Sequence, residues 1–217
     1  MKNLFLIGLS LLMIGGAALA QDEDFFVKDV LEVNFYGGAG IPSGSLSDFS
    51  DSLGAETGFN YGLDIGYFLT NDLVFGFNFS YTQFSIKDSA GTGNLNHKLY
   101  SPNLYLKYYF TGESDFIPYL KTSAGLEFAK FTTFVDNPAG RRFREISYDP
   151  VFAYGAGAGI FYFVSDFSGL FLEANYRAAV SAADTEATYQ DDIYKFGSDL
   201  GRIDIHAGVR ILIAPSE

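Results

Sequence analysis

A chain of 217 residues with 26 acidic and 14 basic side chains, a net charge of −12, is a poor partner for nucleic acid, which calls for clustered positive charge. It contains no cysteine, which excludes both a disulfide framework and a lipid-anchored N-terminus. It is 48% hydrophobic and 18% aromatic, yet beyond residue 20 no apolar run approaches the roughly 18 residues of a transmembrane helix, so its apolar groups must be carried by strands.

The chain opens on one positive charge (Lys2), an almost wholly apolar stretch from Leu4 to Leu12, and the small-x-small triplet Ala18-Leu19-Ala20 before Gln21. This is the pattern of a cleaved secretory signal peptide, residues 1–20, and it is set aside for the fold. Residues 21–30 (QDEDFFVKDV) read as a short periplasmic lead, and residues 31–217 as one domain.

Eight stretches then alternate apolar and polar residues with period two, the mark of strands with one apolar face. In chain order they are Leu31–Ile41, Phe59–Phe68, Leu73–Phe84, Leu99–Phe110, Pro118–Lys130, Val151–Phe163, Gly169–Ala178 and Arg202–Ile213. Each is longer than the roughly 5–6 residues of a soluble strand and close to the roughly 9–11 of a tilted membrane strand. In the third, Leu73, Phe75, Phe77, Phe79 and Tyr81 share one phase; in the last, Ile203, Ile205, Ala207, Val209, Ile211 and Ile213 do.

The opposite phase carries five acids (Glu32, Asp64, Glu127, Glu173, Asp204), five bases (Lys107, Lys121, Arg177, Arg202, Arg210) and His206. Asn34, Asn60, Asn78, Asn103, Asn175 and many glycines accompany them. Between the ends of the stretches no charge falls on the apolar phase. An Arg or Lys at a lipid midplane would cost about 2–4 kcal/mol, and selection against that cost accounts for the one-sidedness.

Alternation alone does not say which face points outward. A soluble calyx would turn the apolar phase inward; a membrane barrel would turn it to lipid. Two features favour the membrane barrel. Connections after the second, fourth and sixth stretches are short (Leu69–Asp72, Thr111–Ile117, Val164–Ser168), whereas the other connections are long and polar. Short turns alternating with long loops are the habit of outer-membrane barrels. Aromatics also flank the short turns: Tyr67, Phe68, Tyr108, Tyr109, Phe110, Phe116, Tyr119, Tyr162, Phe163 and Phe167, as in an interfacial girdle. The expected fold is an all-β, eight-stranded, antiparallel up-and-down transmembrane barrel with both ends of the chain in the periplasm.

Four segments carry a family likeness: Val33–Asp48 (VNFYGGAGIPSGSLSD), Tyr61–Tyr81 (YGLDIGYFLTNDLVFGFNFSY), Ile117–Phe128 (IPYLKTSAGLEF) and Ala153–Tyr162 (AYGAGAGIFY). They resemble the small outer-membrane barrels found especially in Bacteroidota, in the superfamily of the OmpA transmembrane domain and OmpX. The resemblance implies a location in the outer membrane among lipid and lipopolysaccharide. It does not imply any one function. Many such barrels end on an aromatic residue, whereas this sequence runs Ile211-Leu212-Ile213-Ala214-Pro215-Ser216-Glu217.

Four groups are candidate sites. The inward-phase charges could line a selective pore, but an eight-stranded barrel is only wide enough for its side chains to fill, so a paired polar plug is expected. Some barrels of this kind modify lipid A; here His97, Ser101 and Asp88 near the outer rim form the best catalytic set, against the plainer reading of a solvated rim histidine. His206 is followed by Ala207-Gly208, without the closely spaced serine that barrel acylhydrolases use. Arg141, Arg142 and Arg144, interleaved with Phe143, could grip lipopolysaccharide phosphates through bidentate hydrogen bonds, or simply be a solvated loop tip. The acids Asp184, Glu186, Asp191, Asp192 and Asp199 could attract a hard cation, but they lack a calcium-loop spacing. No cofactor and no catalytic residue is expected. The expected function is that of a monomeric, non-enzymatic surface scaffold working through its long loops; the alternatives are an accessory subunit of an envelope secretion or gliding complex and a lipid A-modifying enzyme.

Overall fold

The computed structural model describes residues 28–47, 55–86, 96–111, 115–137, 140–147, 149–179, 185–189, 192–196 and 200–214. The signal peptide, the lead up to residue 27, and Asp88 lie outside them. The strands are β1 (Leu31–Ser43), β2 (Gly58–Phe68), β3 (Leu73–Ser85), β4 (Asn96–Tyr109), β5 (Phe116–Asn137), β6 (Gly140–Ser147), β7 (Val151–Ser165), β8 (Ser168–Ala179), β9 (Thr185–Tyr189), β10 (Asp192–Phe196) and β11 (Gly201–Ile213).

Leaving out β6, β9 and β10, the strands form one antiparallel sheet in which neighbours follow chain order. It closes because β1 pairs with β11 along its whole length, from Leu31↔Ile213 to Ser43↔Gly201. The result is an eight-stranded up-and-down barrel. Closure leaves the barrel no open edge, so its ladders are paired within the protein, as hydrocarbon requires, with a gap in the β4–β5 ladder at Ser101 and Pro102. The eight alternating stretches coincide with these eight strands to within about three residues at each end, except that β5 runs on past Lys130 to Asn137.

The long connections hold structure that alternation over ten residues does not reveal. β5 runs for 22 residues; its first part pairs with β4 and β7, and from Lys130 onward it pairs with β6, out to Asn137↔Gly140. β9 and β10 form a second, separate hairpin. The barrel therefore has a turn end, with the connections at 69–72, 110–115 and 166–167, and a loop end bearing these hairpins.

The apolar phase faces outward. Phe35, Phe59, Phe77, Leu104, Leu120, Leu172 and Tyr176 are all exposed, forming the band a bilayer would cover. Of the aromatics beside the short turns, Tyr67, Tyr108, Phe110, Phe116 and Phe167 are exposed and fit a girdle. Phe68, Tyr109 and Tyr119 do not: they are buried inside the barrel, and Phe163 packs against the same inner cluster. Their positions in the alternation explain this, since each lies on the polar phase of its own strand.

Inward-phase glycines make room for side chains that cross the lumen. A Cβ at Gly62 would collide with the Tyr36 hydroxyl, and one at Gly76 would lie 2.5 Å from the Tyr105 ring. Gly76→Ala should therefore destabilise the barrel by about 1–3 kcal/mol through overpacking, measured as a lower urea midpoint in micelles; an unchanged midpoint would show that Tyr105 can move aside.

The lumen has apolar material at both ends. At the turn end Val30, Phe68, Val74, Tyr109, Ile117, Tyr119, Phe161 and Phe171 pack together. The chain just before β1 extends the β1–β2 ladder and brings Val30 into this cluster: the Asp29 amide donates to the Phe68 carbonyl at 3.1 Å, and the Phe68 amide donates to the Val30 carbonyl at 3.0 Å. At the loop end Leu46, Ala55, Phe84, Leu99 and Ala129 form a second cluster, with Leu200 against it. Leu46 belongs to a short 3-10 turn after β1 (Gly44–Leu46), and the Ala55 amide donates to its carbonyl at 2.9 Å. The described ends of the first long loop, at Leu46 and Ala55, thus pack into the mouth.

Candidate functional site in the barrel interior

Between these two apolar ends, the inward phase brings together all ten of the strand charges and His206 singled out above; each is buried. They fall into three tiers along the barrel axis, with β5, β8 and β11 each contributing to more than one.

The tier nearest the turns centres on Glu32. Its carboxylate accepts from Lys107 Nζ at 2.5 Å, Tyr105 Oη at 2.8 Å, Tyr109 Oη at 2.8 Å and Asn34 Nδ2 at 3.2 Å. Arg210 Nε lies 3.4 Å from the same carboxylate and donates to Asn34 Oδ1 at 2.8 Å. Its two terminal nitrogens have no hydrogen-bond partner. Instead the guanidinium sits among the rings of Phe161 (4.2 Å), Tyr109 (5.0 Å), Tyr119 (5.4 Å) and Phe171 (5.4 Å), whose negative faces attract a cation strongly when water is excluded.

The middle tier centres on Lys121, which donates to Asp64 at 2.8 Å and to Glu173 at 3.2 Å. Asp64 also accepts from Asn78, and Glu173 from Tyr119 and Asn175. His206 stacks on Tyr36 with ring centroids 4.1 Å apart, and its Nε2 lies 3.3 Å from Glu173.

In the tier nearest the loops Arg202 takes Glu127 at 2.5 Å and Asp204 at 3.0 Å, while Ser101 donates to Glu127 at 2.8 Å and accepts from Arg202 at 3.0 Å. Arg177 breaks the expected pattern of pairing. Among the described residues it has no carboxylate within ion-pair distance, and its Nη1 donates to Ser80 Oγ at 3.2 Å. Arg202 sits directly opposite it in the β8–β11 ladder and holds the nearby acids.

Sequence reasoning missed the tyrosines. Tyr105, Tyr109 and Tyr119 supply hydroxyl donors to Glu32 and Glu173, and Tyr36 accepts from Asn78 at 2.7 Å. All four stand on the polar phase of their strands, which was signal enough to place them inside.

Of the rim set, Asp88 lies outside the described residues, and His97 and Ser101 do not meet. His97 and Ser101 are four residues apart on β4, about 13 Å along a strand. The Ser101 hydroxyl is engaged by Glu127 and Arg202, and His97 is buried. Arg141, Arg142 and Arg144 lie on β6, where Arg141 pairs with Asp136, Arg142 with Val135 and Arg144 with Thr133. By backbone phase Arg142 and Arg144 share one face of this hairpin and Arg141 the other, so they do not form a single three-arginine surface. Of the acidic set, Glu186 stands opposite Lys195 and Asp192 opposite Tyr189 in the backbone register of the β9–β10 ladder; Asp184, Asp191 and Asp199 lie outside the described residues. Among the described residues no group of three or more potential ligands could hold a metal ion.

A closed eight-stranded barrel with an apolar exterior and an ionic interior narrows the family, and a family model decides it: the model of the OprF membrane domain matches residues 44–198. The chain belongs to the OprF membrane-domain family. Like other barrels of that family it is an integral outer-membrane protein of the OmpA-like kind. Several solved outer-membrane barrels share the fold. Neisserial surface protein A is 23% identical over 83% of this chain and 96% of its own, with a TM-score of 0.55. OprG of Pseudomonas aeruginosa is 15% identical over 90% and 100%, with a TM-score of 0.50. AlkL, solved in lipid bilayers, is 16% identical over 92% and 96%, with a TM-score of 0.50. No curated protein matches the sequence.

Proposed function

We propose that this OprF-family barrel is a non-enzymatic scaffold of the outer membrane, its lumen plugged and its recognition or envelope-stabilising work done by the long loops. The observation that carries the reading is the filling of the lumen: three ionic tiers with an apolar cluster at either end. Rigid strands with long loops are a common way to present a recognition surface. Purified protein in planar bilayers should therefore show no steady ion-selective conductance, and a stable, selective current would overturn the plugged interior. The mass of the particle extracted in mild detergent tests the stand-alone role. A single barrel plus detergent supports it, whereas co-migration with other envelope proteins would make this chain a subunit of a larger assembly.

The basic hairpin β5–β6 is the proposed contact with lipopolysaccharide, because guanidinium groups bind phosphate oxygens in pairs. Arg142 and Arg144 share a face, so the double replacement Arg142→Ala/Arg144→Ala should reduce co-purifying lipopolysaccharide several-fold, while Arg141→Ala alone should change it less. Equal loss from all three would point to general charge attraction rather than a defined face.

A further inference from the structure

Two lumenal guanidiniums lack a full set of acceptors, and their surroundings answer them differently. Arg210 has its box of four aromatic rings. Arg177 has neither such a box nor a carboxylate partner: its Nε and Nη2 are buried without a hydrogen bond. Leaving buried N–H donors without an acceptor is costly, so an acceptor is called for.

The wall beside Arg177 shows what kind. Among the described residues Asp204 Oδ1, Asn60 Oδ1 and His206 Nδ1 are also buried without hydrogen bonds, and all belong to residues lining one cavity of about 10 Å³. This volume is what a single water requires, provided that two to four polar groups face it. The lining also selects by charge. An anion would be drawn to Arg177 but would meet the Asp204 carboxylate and the Asn60 carbonyl; a cation would meet Arg177 and Lys121, which lines the same cavity. A small neutral molecule that both donates and accepts suits every wall.

We propose that this cavity binds one ordered water, which accepts from the Arg177 guanidinium and donates to Asp204 Oδ1 and Asn60 Oδ1. The water gives Arg177 the acceptor it lacks where Arg202 holds both Glu127 and Asp204. It also ties the loop-end tier to Asn60, which donates to Thr82 Oγ1 at 2.7 Å, and brings it beside the middle-tier His206. Asn60, Asp204 and Arg177 thereby become positioning residues for a bound solvent molecule rather than unsatisfied groups in the core. Because apolar clusters close both ends of the lumen, this water exchanges with bulk only when one of those ends opens. The site in that form rests on the plugged-lumen reading.

The test is a crystal structure of the wild-type barrel to better than about 2 Å, grown with sodium bromide in place of chloride. The expected result is one full-occupancy water peak within hydrogen-bond distance of Arg177, Asp204 and Asn60, with no anomalous signal. An anomalous bromide peak there would make the site an anion site and overturn the proposal. So would Arg177 bonded directly to Asp204 with no density between them. A water at the site joined to both mouths by a continuous file of ordered waters would support the site while refuting the plugged lumen, so the two readings fail separately.

Discussion

Glu32→Ala should destabilise the barrel by about 3–5 kcal/mol, the usual penalty for breaking a buried pair by removing one partner. It should appear as a lower urea midpoint in micelles and as earlier loss of the folded band when unboiled gel samples are warmed. Glu32 is the acceptor at the centre of its tier. Its loss leaves Lys107 as a buried cation whose ion pair was with Glu32, at 2.5 Å, and strips Arg210 of its carboxylate at 3.4 Å. Tyr105 and Tyr109 lose their acceptor as well.

The sign of the charge effect can be separated from the packing effect. Glu32→Gln keeps most of the shape and two acceptor sites but not the charge, so it should fall between wild type and alanine. Adding Lys107→Met to Glu32→Ala removes the orphaned ammonium, and the double variant should be more stable than Glu32→Ala alone. Such non-additivity is what a contact pair produces, whereas distant sites add. Arg210 is expected to tolerate the loss better than Lys107, because its aromatic box remains. If Glu32→Ala and the double variant unfold together with wild type, the tier contributes nothing and the interior is held by its apolar ends.

Much of this interior was legible in the sequence, for a definite reason. With a side-chain period of two, a one-residue slip would move every charge into lipid, so the phases of β1 to β5, β7, β8 and β11 are fixed by their exposed members alone. Glu32, Asp64, Lys107, Lys121, Glu127, Glu173, Arg177, Arg202, Asp204, His206 and Arg210 therefore lie on the inner wall, as their strands' phases require. Pairing was not legible. Lys107 meets Glu32 across 75 positions in sequence, and Arg202 meets Glu127 across another 75; such partners depend on how far each strand is staggered around the barrel. Arg177 shows the limit most clearly, because equal counts of acids and bases suggest full pairing, whereas Arg202 holds both nearby carboxylates. The aromatics near the short turns were harder to sort: a girdle residue and a lumen plug have the same composition, and phase alone separates Tyr108 from Tyr109. The hairpins β5–β6 and β9–β10 were read as loops since neither belongs to the barrel's alternation, although Thr132 to Val135 and Phe143 to Ile146 carry strand-forming residues on both sides of a Pro-Ala pair.

Phe77→Arg should lower stability in lipid vesicles by about 2–4 kcal/mol, the penalty for an arginine at the bilayer midplane. Phe77 sits in the middle of β3, paired with Ile65 on one side and Leu104 on the other, and 46% of it is exposed. Phe116, at the turn end of β5, is 59% exposed, so by accessibility alone it is the more open of the two. Depth in the membrane reverses that order: near the interface arginine costs only about 0–1 kcal/mol, because its long chain reaches the headgroups. Phe116→Arg should therefore be the milder change. Unfolding both variants by guanidinium in vesicles gives the comparison directly. If the outer face were wetted, as in a soluble calyx turned inside out, both would be ordinary surface substitutions within about 0.5 kcal/mol of wild type. A gap between them that follows depth rather than exposure requires hydrocarbon around the middle of β3, and with it a lumen where charge is tolerated only because it is paired, boxed by rings or hydrated.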